Sequence, residues 1–174
     1  MARTDIYIAA AWAERDRIKK ELIPVLEQIG MRVTSRWLDV PDQGFKPEDK
    51  KITNRKWVDY CNRMGPLDLE DIDKAHIVLF IGDDYKSTGG MFAEFGYALA
   101  KNKVLVWLGQ DVPNVFVTRS SYFCTKNEEE TLSLRDGRQP LVPTLCKIAG
   151  IQLDKMANMS KFDARRLMNQ GSPS

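Results

Sequence analysis

Acidic residues bracket one apolar run of this chain: Asp68, Glu70, Asp71 and Asp73 precede the stretch 77–81, and Asp83, Asp84 and Glu94 follow it. Paired carboxylates suit acid–base or nucleophilic work at a glycosidic carbon, because one can stay ionised while its surroundings hold the other protonated. For each acid before the run, a solvated helix face is the commoner reading, since acids are mostly exposed. Glu94 differs. It falls in the first turn or so of a helix that begins after Gly89 and Gly90, where the helix dipole favours an ionised carboxylate; a capping role explains a glutamate there about as well.

The two glycines let backbone N–H groups approach an anion at the helix N-terminus. They lack the GxGxxG spacing of a dinucleotide fold and the Lys-Ser/Thr ending of a P-loop, so neither NAD redox chemistry nor ATP hydrolysis is supported, and no cofactor is expected. Tyr7 and Trp12 lie at the end of the first strand and just beyond it, where a ring can stack on a flat ligand, although core packing is the commoner fate. Lys50, Lys51, Arg55 and Lys56 with Trp57 hint at nucleic acid, but Glu48 and Asp49 dilute the cluster and a solvated helix face is the better reading. His76 is the single histidine, which removes any mechanism needing two imidazoles; it opens a buried strand as a core or edge residue. Cys61, Cys124 and Cys146 are odd in number, widely spaced and without a CxxC pair, against a disulfide framework and against a zinc site.

These residues need elements to hold them. Asp5 to Ala10 reads as a short buried strand, followed by apolar residues at Ile18, Leu22, Val25 and Ile29, the spacing of one helix face. Pro24 should kink that helix, and Gly30 stands where a C-terminal stop belongs. A strand is predicted over Met31 to Trp37, then a long surface loop from Asp39 to Asp49 of the kind often used as a functional lid. Ile52 to Met64 is weakly helical and Leu67 to Lys74 forms a short acidic helix. His76 to Gly82 is the clearest buried strand, apolar enough to be covered on both faces as in a parallel sheet. A helix over about Met91 to Asn102, a strand over Lys103 to Gly109 and a third short strand over Asn114 to Val117 follow. From Pro140 onward the pattern is helical, through Leu145 and Ile148 and again from Leu153 to Met168. The alternation predicts an α/β fold: a doubly wound, mainly parallel sheet of about five strands flanked by helices, Rossmann-like or flavodoxin-like, with ligands at the carboxyl ends of the strands. One domain over 1–174 is expected, with a helical extension from about 140.

The composition sets limits. The chain has 174 residues with 43% hydrophobic and 29% charged, and 26 Lys+Arg against 24 Asp+Glu leaves a net charge of +2. That is an ordinary globular balance, with no bulk charge for nucleic acid. No apolar run approaches the roughly 20 residues of a membrane span, and the start lacks signal-peptide flanks, so a cytoplasmic protein without a membrane partner is expected.

Three stretches together, Ile6 to Trp12, Asp68 to Ile72 and Ala93 to Ala100, resemble the nucleoside 2-deoxyribosyltransferase family over about residues 5–117. The strongest motif is Glu94-Phe95-Gly96-Tyr97-Ala98, in which Gly96 would let the helix lie close on the sheet. The resemblance implies that Glu94 attacks the anomeric carbon and displaces the base, that Asp68 protonates the departing base, that Tyr7 orients the nucleophile, and that Trp12 belongs to the sugar and base pocket. Covalent catalysis of this kind divides one hard substitution into two. It also implies a small nucleoside or nucleotide substrate and a homo-oligomer, a dimer or larger. One position departs from the transferase pattern: six residues before Glu94, where an aspartate helps hold the base, stands Thr88 with Ser87 beside it. Nucleoside 5′-monophosphate N-glycosidases are similar there, using hydroxyls and backbone N–H groups for phosphate. Asp83 and Asp84 are the nearest carboxylates, Arg15 with Ser87 and Thr88 is a candidate phosphate pocket, and Gly89, Gly90 and Asn114 complete the candidate substrate-binding set. Other readings are a non-catalytic nucleotide-binding module and cleavage of the nicotinamide–ribose bond of NAD.

Overall fold

Strand β1 (Thr4–Ala10) is flanked by a parallel strand on either side, and its Ile6, Tyr7 and Ile8 have no exposed surface. The computed structural model describes residues 3–82, 89–109, 116–117, 121–125 and 139–150. After β1 a 3-10 turn (Trp12–Glu14) leads into α1 (Arg15–Arg17), a π-helical stretch (Ile18–Leu22) and α2 (Ile23–Gln28). Pro24 cannot donate to the carbonyl four residues before it. The chain answers with the π-helical stretch in place of the expected kink, and Leu22 keeps helical angles, φ −85° and ψ −45°. Gly30 ends this helix with φ +87°, a left-handed conformation that glycine adopts without penalty.

Strand β2 (Met31–Val33) is shorter than predicted; the chain turns into a 3-10 segment at Arg36–Asp39, where Trp37 and Leu38 are buried. The loop that follows holds only a 3-10 turn at Pro47–Asp49. Its Phe45 ring sits 5.3 Å from Trp57 and 5.5 Å from Tyr60. Helix α3 (Arg55–Lys74) is one element where two were predicted. Asn54 caps it, its Oδ1 accepting the Lys56 and Trp57 N–H groups at 3.1 and 3.4 Å. Gly65 and Pro66 lie on its exposed side, and packing of the opposite face carries the helix through a pair that reads locally as a break.

Strand β3 (Ile77–Gly82) is buried throughout, as its apolar run demands. Helix α4 (Gly89–Ala100) and strand β4 (Val104–Gly109) follow, then β5 (Ser121–Thr125), β6 (Gln139–Pro140) and α5 (Leu141–Ile148). The sheet has six strands in the order β2-β1-β3-β4-β5-β6, and every pairing is parallel. The predicted α/β class holds, with corrections of its strands: besides the shorter β2, the sheet has six strands where about five were expected, the last of them at Gln139–Pro140 where the helical pattern was expected to begin. Phe116 and Val117 are helical, and the fifth strand is Ser121–Thr125 instead; three apolar residues in a row cannot distinguish the two conformations by periodicity. Leu153 to Met168 lies outside the described residues. Among the described residues no helix is long and apolar enough to cross a membrane.

The sheet steps from β1 outward to β2, then back across to β3, so the strand order reverses between β1 and β3. In an open α/β sheet this switch point is where a ligand crevice forms. Around it the core is aromatic: Phe80 stacks on Trp107 at 5.9 Å and meets Phe95 of α4 at 5.2 Å. A Cβ at Gly82 would collide with the Trp107 ring atoms Cζ2 and Cε2. Gly82→Ala should therefore destabilise the protein by about 1–3 kcal/mol, read as a lower urea midpoint at unchanged m-value.

Candidate active site

Helices α3 and α4 pack against each other and both against β1. This junction brings together Tyr7 from β1, Asp68 from α3 and Glu94 from α4. The Tyr7 hydroxyl donates to Glu94 Oε1 at 2.7 Å. Asp68 Oδ1 is buried and has no hydrogen-bond partner among the described residues.

Burial governs the electrostatics. The Glu94 carboxyl is pushed up to about 7 by burial, against the Tyr7 hydrogen bond that favours its ionised form, with the Asp68 charge adding to the rise. Asp68 is pushed up to about 6 by burial and by the Asp71 charge, and is drawn back by the Arg36 guanidinium and the Tyr7 hydroxyl. Tyr7 itself is held far above the usual phenol range by burial and by the Glu94 and Asp68 charges, so it remains a hydrogen-bond donor. The expectation drawn from the helix dipole is corrected here. Glu94 is the sixth residue of α4, the first turn has no acid, and burial moves the carboxyl toward its protonated form. Two half-buried carboxyls raised to about 7 and about 6 can share one proton near neutral pH; the proton rests mainly on Glu94, and the minor form with Glu94 ionised and Asp68 protonated is the one in which the first is a nucleophile and the second an acid.

The acids before β3 divide into two kinds. Glu70 and Asp73 are exposed and paired, Glu70 with Arg36 at 2.8 Å and Asp73 with Lys101 at 3.2 Å, as a solvated helix face would have them. Asp71 is 1% exposed, and sequence reasoning gave it no part beyond that face. Its spacing of one turn from Asp68 was the available signal. Its Oδ1 accepts from Arg36 Nε at 2.7 Å and its Oδ2 from the Arg36 backbone N–H at 2.8 Å.

Trp12 and Arg15 sit together beyond the carboxyl end of β1. The Arg15 guanidinium lies 4.7 Å over the Trp12 ring and donates to the Val40 carbonyl at 2.8 Å, while Trp12 leans on Trp37 at 6.1 Å. Trp12 is 36% exposed, so its ring is only partly taken up by packing. Gly89 and Gly90 are exposed at the start of α4, with open space where a side chain would stand. Gly96 is corrected: it too faces open space, and α4 meets the core through Met91, Phe95 and Ala98. Asp83, Asp84, Ser87, Thr88 and Asn114 lie outside the described residues. His76 is exposed, not core, and its Nδ1 accepts the Asp5 N–H at 3.1 Å at the amino end of β3, the far end of the strand from the carboxyl edge. Lys50, Lys51, Arg55 and Lys56 are exposed, as a solvated face requires.

No protein-family model and no curated protein matches the chain. Among solved structures, it is similar to a 2-deoxyribosyltransferase from the psychrotolerant bacterium Bacillus psychrosaccharolyticus, with TM-score 0.52 and 20% identity over 80% of this chain and 100% of that one. A CMP N-glycosidase from Clostridium botulinum aligns with TM-score 0.45 and 19% identity over 73% of this chain and 92% of that one. A 2-deoxyribosyltransferase from Leishmania mexicana aligns with TM-score 0.42 and 17% identity over 92% and 97%. The first of these shares the α/β fold described above.

Proposed function

We propose that this protein cleaves the N-glycosidic bond of a 2′-deoxynucleoside through a covalent glycosyl ester on Glu94 and passes the sugar to another base. The observation that carries the reading is the Tyr7–Glu94 hydrogen bond of 2.7 Å beside a second raised carboxyl, Asp68. In the first step ionised Glu94 bonds to C1′ through Oε2 as the C1′–N bond breaks, and the Asp68 proton goes to the departing nitrogen. In the second step the incoming base attacks C1′, the ester bond breaks, Asp68 takes the proton of the incoming N–H, and Glu94 is regenerated. Tyr7 holds Oε1 and keeps its own proton throughout. The developing oxocarbenium charge lies against the Glu94 carboxylate, which is where such a transition state needs an anion. In this scheme Trp12 stacks on the sugar or base; its partly exposed ring, with the Arg15 guanidinium 4.7 Å away, supports the role.

Hydrolysis of a nucleoside 5′-monophosphate is the second reading, favoured by Ser87 and Thr88 where transferases carry an aspartate. Incubation of a panel of deoxynucleosides with a second free base, and of deoxynucleoside monophosphates in parallel, separates the two by chromatography. A new nucleoside supports transfer; free base with free sugar or sugar phosphate supports hydrolysis. Ligand-induced thermal stabilisation with no turnover across both panels would leave a binding module and overturn the enzymatic reading.

Tyr7→Phe should slow either reaction by about ten- to a hundredfold, the equivalent of losing one hydrogen bond to a charged group, roughly 1.5–3 kcal/mol. The loss should be greater at pH 6 than at pH 9, because without the hydroxyl the Glu94 carboxyl rises further above about 7. Measuring kcat/KM against pH checks this.

A further inference from the structure

The segment Thr34 to Trp37 takes no chemical part in the scheme above, yet its polar groups bolt the strand of Tyr7 to the helix of Asp68. Toward β1, the Thr34 N–H donates to the Ile6 carbonyl at 2.9 Å. Ser35 Oγ accepts the Ile8 N–H at 2.6 Å, and Trp37 Nε1 donates to the Ile8 carbonyl at 2.8 Å. Those anchors flank Tyr7 on both sides. Toward α3, Thr34 Oγ1 donates to the Asp71 carbonyl at 3.1 Å. Arg36 holds both Asp71 oxygens, through Nε and its backbone N–H, and its Nη2 donates to the Leu67 carbonyl at 3.1 Å and to Glu70 Oε2 at 2.8 Å. One guanidinium therefore clasps residues 67, 70 and 71, the turn in which Asp68 stands. Its planar fork makes several directed bonds at once, which an ammonium would not. A carboxylate as buried as Asp71 is strongly disfavoured without its cation, so the clasp persists.

We propose that Arg36, locked by Asp71, is a positioning residue for Asp68, fixing the turn that carries this carboxyl and setting the balance of charge around it. The role rests on the reading of Asp68 as proton donor. The groups that face Asp68 are Asp71 and Tyr60 on its own helix, Arg36 from the segment after β2, Tyr7 from β1 and Glu94 from α4. Asp71 favours the protonated acid; Arg36 and the Tyr7 hydroxyl favour the ionised form. The two partners of one ion pair thus push Asp68 in opposite directions.

Titration of the Asp68 carboxyl carbon by 13C NMR, in the full chain and without substrate, tests this. Asp71→Asn removes the anion and frees the guanidinium, so the Asp68 midpoint should fall by about half a pH unit or more. Arg36→Met removes the cation while Asp71 keeps the backbone N–H of residue 36 and Lys74 Nζ, 3.7 Å away, as partners; the midpoint should rise by a similar amount. Arg36→Lys keeps the charge but not the fork. Its midpoint should stay while kcat falls about tenfold at unchanged KM, as expected when orientation and not binding is lost. Midpoints that stay put, or that move in the same direction in both of the first two variants, would overturn the inference, as would an Arg36→Lys enzyme of full kcat if Asp71→Asn fails to fold. The two readings fail separately. Absence of glycosidic cleavage sinks the proton-donor role while the opposed midpoints stand; turnover that depends on Asp68 with unmoved midpoints sinks Arg36 alone.

Discussion

Glu94→Gln is expected to lower glycosidic cleavage by about a thousandfold or more while making the protein more stable above neutral pH. The loss follows from chemistry: an amide cannot form the glycosyl ester, so the covalent route closes and only binding and the remaining dipoles assist the reaction. The gain follows from linkage. Glu94 has its carboxyl raised from the ordinary 4.5 to about 7. Between those two values the folded protein binds more protons than the unfolded chain, so stability falls as pH rises through that window, and the full penalty is present above about 7. At 1.36 kcal/mol per pH unit the penalty is at most about 3 kcal/mol. Glutamine removes it and still offers a carbonyl oxygen to the Tyr7 hydroxyl. Thermal unfolding at pH 8 should show a Tm several degrees above the parent, and the difference should vanish near pH 4. A glutamate serving only to bridge helix and strand would give the same pH-dependent gain, since that follows from burial alone, but no loss of turnover.

The second large effect belongs to Asp68. Asp68→Asn removes the proton donor, and a general acid contributes about a hundred- to ten-thousandfold to such a reaction. The deficit should depend on the leaving group: near its full size for a deoxynucleoside with an ordinary base, and small for a deoxyribosyl substrate whose leaving group needs no proton. In the parent protein the working form carries one proton on the Asp68–Glu94 pair. With carboxyls at about 6 and about 7, kcat/KM should follow a narrow bell whose limbs fall in that interval, each apparent value belonging to the pair. Asp68→Asn should leave a single ascending limb, that of Glu94 losing its proton. A descending limb preserved in the variant would assign the acid to another group.

Much of the fold is legible in the sequence. The strand around Val78 and Leu79, the strand around Val106 and the helix ending near Ala100 declare themselves because each buries its apolar residues locally, on the period of its own backbone. Boundaries blurred where tertiary packing overrules local preference. Pro66 reads as a break but lies inside one helix, Pro24 reads as a kink but is absorbed by a π-helical stretch, and Phe116 and Val117 read as strand but are helical. The close-packing role expected of Gly96 failed for a related reason: which side of α4 meets the sheet is decided by Met91, Phe95 and Ala98 together and not by one small residue.

The sequence by itself determined the order of elements, and with it that Tyr7, Asp68 and Glu94 would stand on a strand and two helices around one parallel sheet, because hydrophobic periodicity is a local property of the chain. Only the tertiary structure decided that these side chains meet, that burial lifts both carboxyls toward neutrality, and that Arg36 and Asp71 clasp the turn between them. Desolvation and charge pairing depend on atoms dozens of residues apart in the chain, and no spacing within a motif encodes how much water is left beside a carboxylate.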